Sequence, residues 1–194
     1  MILSTSKKRR SIRRYSKDEV SKEDLLYIVR TGSNYPSRAN KQPLKYLVIN
    51  DKELCNKVFS SILWGSKVSQ YKVFSDIDYS PKAYILVMVD KTICSAGYEY
   101  ELGASIGMML LAATYKELGS LWVKSFDKNK LLNELNITDE NIIIDSIVCL
   151  GKPSHKSTII EYKDSTNVEV LSNYDMIVPK RQEKEVIYIN EYNR

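Results

Sequence analysis

The chain has 194 residues and a mass of 22.4 kDa, enough for one substantial domain and too short for two ordinary ones. Its 43% hydrophobic and 27% charged residues exclude the disordered and collagen-like classes and permit a core without disulfides or a structural metal. The formal charge of +5 is local: residues 1–17 carry Lys7, Lys8, Arg9, Arg10, Arg13, Arg14 and Lys17 and no acid, leaving 22 basic against 24 acidic residues elsewhere. A near-neutral body lacks the extended cationic groove that strand tracking needs, so no nucleic-acid partner is expected.

Ile2 and Leu3 are followed at once by polar residues and KKRR, so no apolar leader is expected. Ser21 with Asp24 forms a capping-box pattern, Leu25, Ile28 and Val29 share the face of the helix that follows, and Gly32 is placed to end it. Residues 33–43 read as a loop, interrupted by Pro36 and Pro43. Strand KYLVIN (45–50) precedes a helix capped by Asp51 and carrying Leu54, Val58, Ile62 and Leu63. Residues 65–82 show weak periodicity, and AYILVMVD (83–90) reads as a fully buried strand.

A long helix is predicted from about Tyr98 to Leu118, with Gly119 as its stop. Leu102, Ile106, Met109, Leu110 and Ala113 fall on one side, and Met108, Leu111, Ala112 and Tyr115 on the other. Its uncharged stretch, Leu102 to Tyr115, is fourteen residues, short of a bilayer span, so no membrane segment is expected. A helix apolar nearly all round must be covered on all sides. SLWV (120–123) is a strand, Asp127 to Leu135 a short helix and IIIDSIVCLG (142–151) the longest strand. IIEY and EVIYIN read as extended C-terminal segments. Elements in this order specify an α+β sheet with helices packed on it.

Cys55, Cys94 and Cys149 are scattered, and His155 is the one histidine, which cannot easily supply a zinc or iron–sulfur site. Scattered thiols fit a reducing, cytoplasmic location. The segment from Gly103 to Gly107 matches the G-x-S-x-G nucleophile elbow at Ser105, with His155 downstream. An elbow needs a strand just before the serine, and GYEYEL is instead in phase with the following helix, which leaves the hydrolase as a minor alternative.

Three other segments can carry chemistry. In RRSIRRY (9–15), Arg9, Arg10, Ser11 and Arg13 place guanidinium forks and a hydroxyl within five residues, which suits a phosphate dianion; a solvated basic tail is the alternative. PSRANKQP (36–43) offers Ser37, Asn40 and Gln42 in a Pro-bounded loop able to read a heterocycle's edge. The strand end in GSLWVKSF (119–126) can aim backbone N–H groups at a ligand.

In this order, RRSIR (9–13), PSRANKQP (36–43), the apolar helix running into LGSLWV (118–123) and PKR (179–181) resemble the FMN-dependent nitroreductase family across nearly the whole chain. The resemblance implies one domain over residues 1–194: a central, mostly antiparallel sheet flanked by helices, in an intertwined homodimer. Its segment from about 155 to 194 would be extended and wrap the partner subunit. It implies an FMN site shared between subunits. Arg9, Arg10 and Ser11, aided by Lys180 and Arg181, would hold the phosphate, and Arg13 would lie by the flavin N1/O2 edge. Pro36, Ser37, Arg38, Asn40 and Gln42 would line the flavin or its ribityl chain, and backbone at Val123, Lys124 and Ser125 would face N5. NADH or NADPH would deliver hydride to N5, and a nitroaromatic, quinone or related small-molecule acceptor would be reduced in the same site by ping-pong turnover, with no catalytic side chain. A flavin-binding sensor or carrier without turnover is the alternative. Trp64, Tyr71, Phe74 and Tyr79 are candidates for an aromatic wall over the flavin. Arg38, Leu44 and Lys124 depart from the family pattern.

Overall fold

The computed structural model describes residues 1–64 and 72–192, with the side chains of residues 72 and 73 outside the description. These residues fall into two units, Met1–Ser154 and His155–Arg194.

The first unit is built on a four-stranded sheet. Its strands are β1 (Leu44–Ile49), β2 (Ala83–Asp90), β3 (Gly119–Val123) and β4 (Ile142–Gly151), in the order β1-β2-β4-β3 and antiparallel throughout. β2 and β4 are central and buried on both faces, which is why their sequences are unbroken apolar runs. Alternation along β2 divides the core into two. Ile85, Val87 and Val89 face α2 (Lys22–Ser33) and α4 (Glu99–Tyr115), whereas Tyr84 and Leu86 face α3 (Lys52–Ser61) and α5 (Lys128–Glu134). The layers are helix, sheet, helix. The register slips between Val87 and Met88, leaving Asp145 as the extra residue of a bulge in β4.

Three helices begin where their caps place them. Ser21 Oγ accepts from the Asp24 N–H, Asp51 from Leu54 and Asp127 from Lys130. Other boundaries correct the sequence reading. Gly32 does not end α2; it lies inside the helix, where a Cβ would stand 2.3 Å from Met109 Cγ. It is needed for the close approach of α2 to α4. Helix α3 stops at Ser61, so Ile62 is its cap and Leu63 lies outside it, exposed. The long helix α4 ends at Tyr115, not Leu118, and Gly119 opens β3. Glu117, at φ 58°, takes the left-handed position, and the Leu118 N–H reaches the Ala113 carbonyl at 2.8 Å in a Schellman closure. Gly119 is instead a contact position against Ile12, whose side-chain carbons would lie 2.9 Å from a Cβ there. On α4, Ala112 is buried with Leu102, Ile106 and Met109, whereas Leu110 is only half-buried.

A further helix, α1 (Ile2–Lys8), precedes the basic segment; its pattern was not legible in the sequence. Residues 72–75 and 77–79 form 3-10 turns.

The second unit holds β5 (Ser157–Glu161), β6 (Glu169–Val170) and β7 (Met176–Lys180), in the order β5-β7-β6, with β5 parallel and β6 antiparallel to β7. The Lys156 N–H donates to Asp175 Oδ1 at 2.7 Å. EVIYIN is not a strand: Glu183–Glu185 form a capped 3-10 turn, and Val186, Ile187 and Ile189 follow it exposed.

Candidate functional site

The basic segment is not a solvated tail. The Ile12 N–H donates to the Ser120 carbonyl at 2.9 Å, pairing Ser11 with Ser120 in parallel beside β3. The Tyr15 N–H donates to the Tyr79 carbonyl, and the Ser16 N–H to that of Lys152. Ile12 and Tyr15 are core residues, Tyr15 seated against Gly151, and Arg14 is buried with its guanidinium 3.7 Å from the Tyr79 ring centroid. The alternation of arginines with Ile12 and Tyr15 therefore lays a cationic strip along the edge of the sheet.

Within that strip, Arg9 is the C-cap of α1, where the helix's partial negative end favours a cation. Arg9 and Arg10 are half-buried and have no carboxylate partner among the described residues. Among the described residues Arg10 Nε is buried without a partner, and so is Ser120 Oγ, opposite Ser11. Burial, then the neighbouring Arg9 charge, hold the Arg10 pKa below its ordinary value, and burial does the same to Arg13. Crowded cations with an idle buried donor are a set of groups suited to an anion.

The loop of residues 36–43 is a tight structure of its own. Residues Arg38–Asn40 form a 3-10 turn, and Ala39, Asn40 and Gln42 have φ of 51°, 54° and 52°. Ser37 Oγ accepts from the Gln42 N–H at 2.8 Å, and Gln42 Nε2 donates to Asn40 Oδ1 at 2.9 Å. Pro36 is exposed at its start. A connection to α4 ties it down: the Arg38 N–H donates to Glu101 Oε1 at 2.7 Å. Glu101 was not singled out in the sequence, where its one signal was an acid in the first turn of a helix.

At the far end of β3, Val123 is buried while Lys124 and Ser125 are exposed. The Ser125 carbonyl accepts from the Leu63 N–H at 2.9 Å, and the Asp127 N–H donates to the Ser61 carbonyl, stitching this turn to the end of α3. Lys124 Nζ pairs with the buried Asp145. Lys180 and Arg181 belong to the second unit, where Arg181 stacks 4.6 Å from the Tyr162 ring centroid and lies 3.8 Å from Glu185. The strip, the loop and the β3 turn are thus held by different elements of the first unit.

Helical context overturns the hydrolase alternative. Ser105 lies mid-helix in α4, fully buried, with its Oγ 2.8 Å from the Tyr46 hydroxyl, and the residues running into it, from Glu99, are helical. Burial pushes the Cys55 thiol up to about 11 and the Cys149 thiol higher still, so neither is a thiolate nucleophile near neutrality. Of the candidate aromatic wall, Phe74 is buried, Trp64 packs tilted on Phe59, Tyr79 carries Arg14, and Tyr71 lies outside the described residues. No helix among the described residues is long and apolar enough to cross a membrane.

Comparison with known proteins places the chain in a family. The Nitroreductase family profile matches residues 6–91, a span containing both the arginine strip and the loop. A protein of Archaeoglobus fulgidus named "Putative NADH dehydrogenase/NAD(P)H nitroreductase" is 30% identical over 165 residues, covering 82% of this chain and 89% of that protein. The chain belongs to the nitroreductase family. The chain is also 33% identical over 168 residues to the iodotyrosine deiodinase of Thermotoga neapolitana, covering 79% of this chain and 89% of that protein. The nitroreductase fold is equally plain: the crystal structure of a "putative nitroreductase in complex with FMN" from Desulfovibrio desulfuricans superposes with a TM-score of 0.66 at 28% identity, over 79% of this chain and 86% of that one.

Proposed function

We propose that this chain is an FMN-dependent oxidoreductase that uses NADH or NADPH to reduce a small-molecule acceptor of the nitroaromatic or quinone kind, working as a homodimer in the cytoplasm. The observation that carries the reading is the arginine strip: among the described residues Arg9 and Arg10 have no carboxylate partner, and Arg10 Nε is buried and idle. These groups fit a terminal phosphate dianion, which accepts several charge-assisted hydrogen bonds at once. The FMN named in the Desulfovibrio desulfuricans structure supports the choice of flavin.

When bound, FMN supplies two-electron chemistry at its ring system, and the protein binds, orients and tunes it. In this reading Arg9, Arg10 and Ser11 hold the phosphate. Arg13 sets a cation near the pyrimidine edge of the ring, where negative charge collects on reduction. Ser37, Arg38, Asn40 and Gln42, following Pro36, present hydroxyl, amide and backbone groups to the ring or ribityl chain. The turn at Val123, Lys124 and Ser125 offers backbone donors from a strand end stitched to α3, which keeps them from drifting. The second unit wraps the partner subunit.

The visible spectrum of the purified protein, before and after anaerobic NADH or NADPH, tests this. A flavin spectrum bleached by either donor, with FMN recovered on denaturation, is the expected result. Retained FMN with no bleaching would favour a carrier or sensor. A colourless protein that takes up no FMN would reject the proposal. The Thermotoga neapolitana relative is named for a deiodinase, so 3-iodotyrosine belongs among the acceptors assayed beside nitroaromatics and quinones.

A further inference from the structure

Glu101 is 5% exposed, in the first turn of α4. Its Oε1 accepts the Arg38 N–H at 2.7 Å across 63 residues of sequence, and its Oε2 is buried with no partner among the described residues. A half-satisfied buried carboxylate is a poor choice for stability alone, because the idle oxygen has lost its water. What it does hold is a loop in which Ala39, Asn40 and Gln42 all take left-handed φ without being glycine. Such conformations persist only where the surroundings over-determine them. Ser37 Oγ and the Asn40 and Gln42 side chains supply bonds within the loop, and those bonds move with it. Glu101 supplies one from a rigid helix.

We infer that Glu101 is a positioning residue: its carboxylate, through the Arg38 N–H, fixes residues 37–42 in the geometry that receives the ligand. The ligand's identity as FMN rests on the proposed function; the loop anchoring does not. A charge-assisted bond to a backbone N–H is the strong kind, and carboxylate at a helix N-terminus is favoured by the dipole.

The test compares Glu101→Ala, Glu101→Gln and Arg38→Pro with the parent, all as full chains. Arg38→Pro removes the donor and leaves the carboxylate; Ser37 is already extended, as a residue before proline must be. Hydrogen exchange is followed in flavin-free protein, and FMN affinity by flavin fluorescence. In Glu101→Ala the Arg38 and Gln42 amides should exchange about tenfold faster or more, with β2 amides unchanged, and FMN affinity should fall by about tenfold or more. Glu101→Gln keeps a carbonyl acceptor and should restore both to within roughly threefold of the parent. Arg38→Pro should reproduce the faster Gln42 exchange, and it carries the test should Glu101→Ala not fold. Unchanged exchange in Glu101→Ala or Arg38→Pro overturns the inference, and so does failure of Glu101→Gln to rescue. A parent that binds no FMN while the exchange results hold would reject the flavin reading alone.

Discussion

Lys124 Nζ lies 2.9 Å from Asp145 Oδ1, and the same oxygen accepts the Ser146 hydroxyl at 2.8 Å, which in turn accepts from Trp122 Nε1. The β4 bulge makes this chain of contacts possible by turning Asp145 out of the strand's alternation. The two partners are unequal. Asp145 is buried and Lys124 is 56% exposed, so removing the lysine strands a carboxylate, whereas removing the carboxylate frees an ammonium into water. Lys124→Met should therefore destabilise by about 1–3 kcal/mol and Asp145→Asn by less, roughly 1 kcal/mol or below. Urea unfolding of both variants checks the order, and the reverse order would show that the pair is not what holds Asp145.

Gly32 is a packing residue inside a helix. A Cβ there would meet Met109 Cγ at 2.3 Å and the Ser105 carbonyl oxygen at 3.2 Å. Methionine can shift and a backbone carbonyl cannot, so the strain falls on the α2–α4 contact. Helix propensity favours alanine by nearly 1 kcal/mol, yet Gly32→Ala should destabilise by about 1–3 kcal/mol because overpacking wins. Thermal melts of the variant and parent decide which term is larger.

Legibility in the sequence followed how local the cause was. Strands 83–90 and 142–151 were readable because a strand buried on both faces must be apolar throughout, and Ser21 and Asp51 because a cap bonds within three residues. Non-local causes were not readable. Helix α1 has no buried residue of its own and rests against α4. Gly32 looked like a stop because nothing nearby announces Met109. Glu117 took the left-handed position that Gly119 seemed to own, two residues early. At the candidate site, the arginines were visible as charge, but their place at the sheet edge depends on Ile12 and Tyr15 meeting Gly119 and Gly151. The Glu101–Arg38 bond spans 63 residues and left no pattern.

Acid should weaken the contact between α2 and the end of α4. Asp24 accepts from Lys116 at 2.8 Å and from the Ser21 hydroxyl at 2.8 Å, and these bonds, Lys116 first, hold its carboxyl below the usual carboxylate range. A folded pKa below the unfolded one contributes stability that is present above the unfolded value of about 3.9 and is lost as pH falls through the folded value. Lys116 is raised by the same bond, so its share is present below lysine's ordinary value and fades as pH rises past it. Melting temperature followed from pH 6 downward should fall less steeply in Asp24→Asn than in the parent. Parallel curves would mean that the pair is solvent-screened to nothing, as exposed pairs often are.

Arg10→Ala should lose flavin more readily than fold. The strip is built into the sheet through Ile12 and Tyr15, which the substitution leaves alone, while Arg10 Nε has no partner to lose among the described residues. One charge-assisted contact to a phosphate is worth about 1.5–3 kcal/mol, roughly ten- to a hundredfold in affinity. FMN titration beside a thermal melt of the flavin-free protein separates the two effects. Equal affinities would take Arg10 out of the phosphate site.

The subunit should be an obligate dimer. Leu102, Ile106, Met109 and Ala113 pack α4 onto its own sheet, but Met108 and Leu111 on its other side are half-buried and Tyr115 is 54% exposed. With Ile2, Thr5 and Tyr27 they line an apolar groove, and among the described residues a Cβ built on Gly103 or Gly107 meets nothing within 4 Å. An apolar strip of this length is unusual on a lone soluble subunit, and a second copy of the same helix can cover it isologously, backbone close to backbone at the two glycines. If α4 stayed uncovered, Gly107→Ala would stabilise the chain by about 1 kcal/mol through helix propensity alone. At a close crossing the added methyl, and still more the side chain of Gly107→Leu, should drive the copies apart and release flavin with them. Sedimentation at low micromolar concentration, following flavin absorbance beside mass, reads both. A 22.4 kDa species that keeps its flavin would remove the dimer and the shared site together.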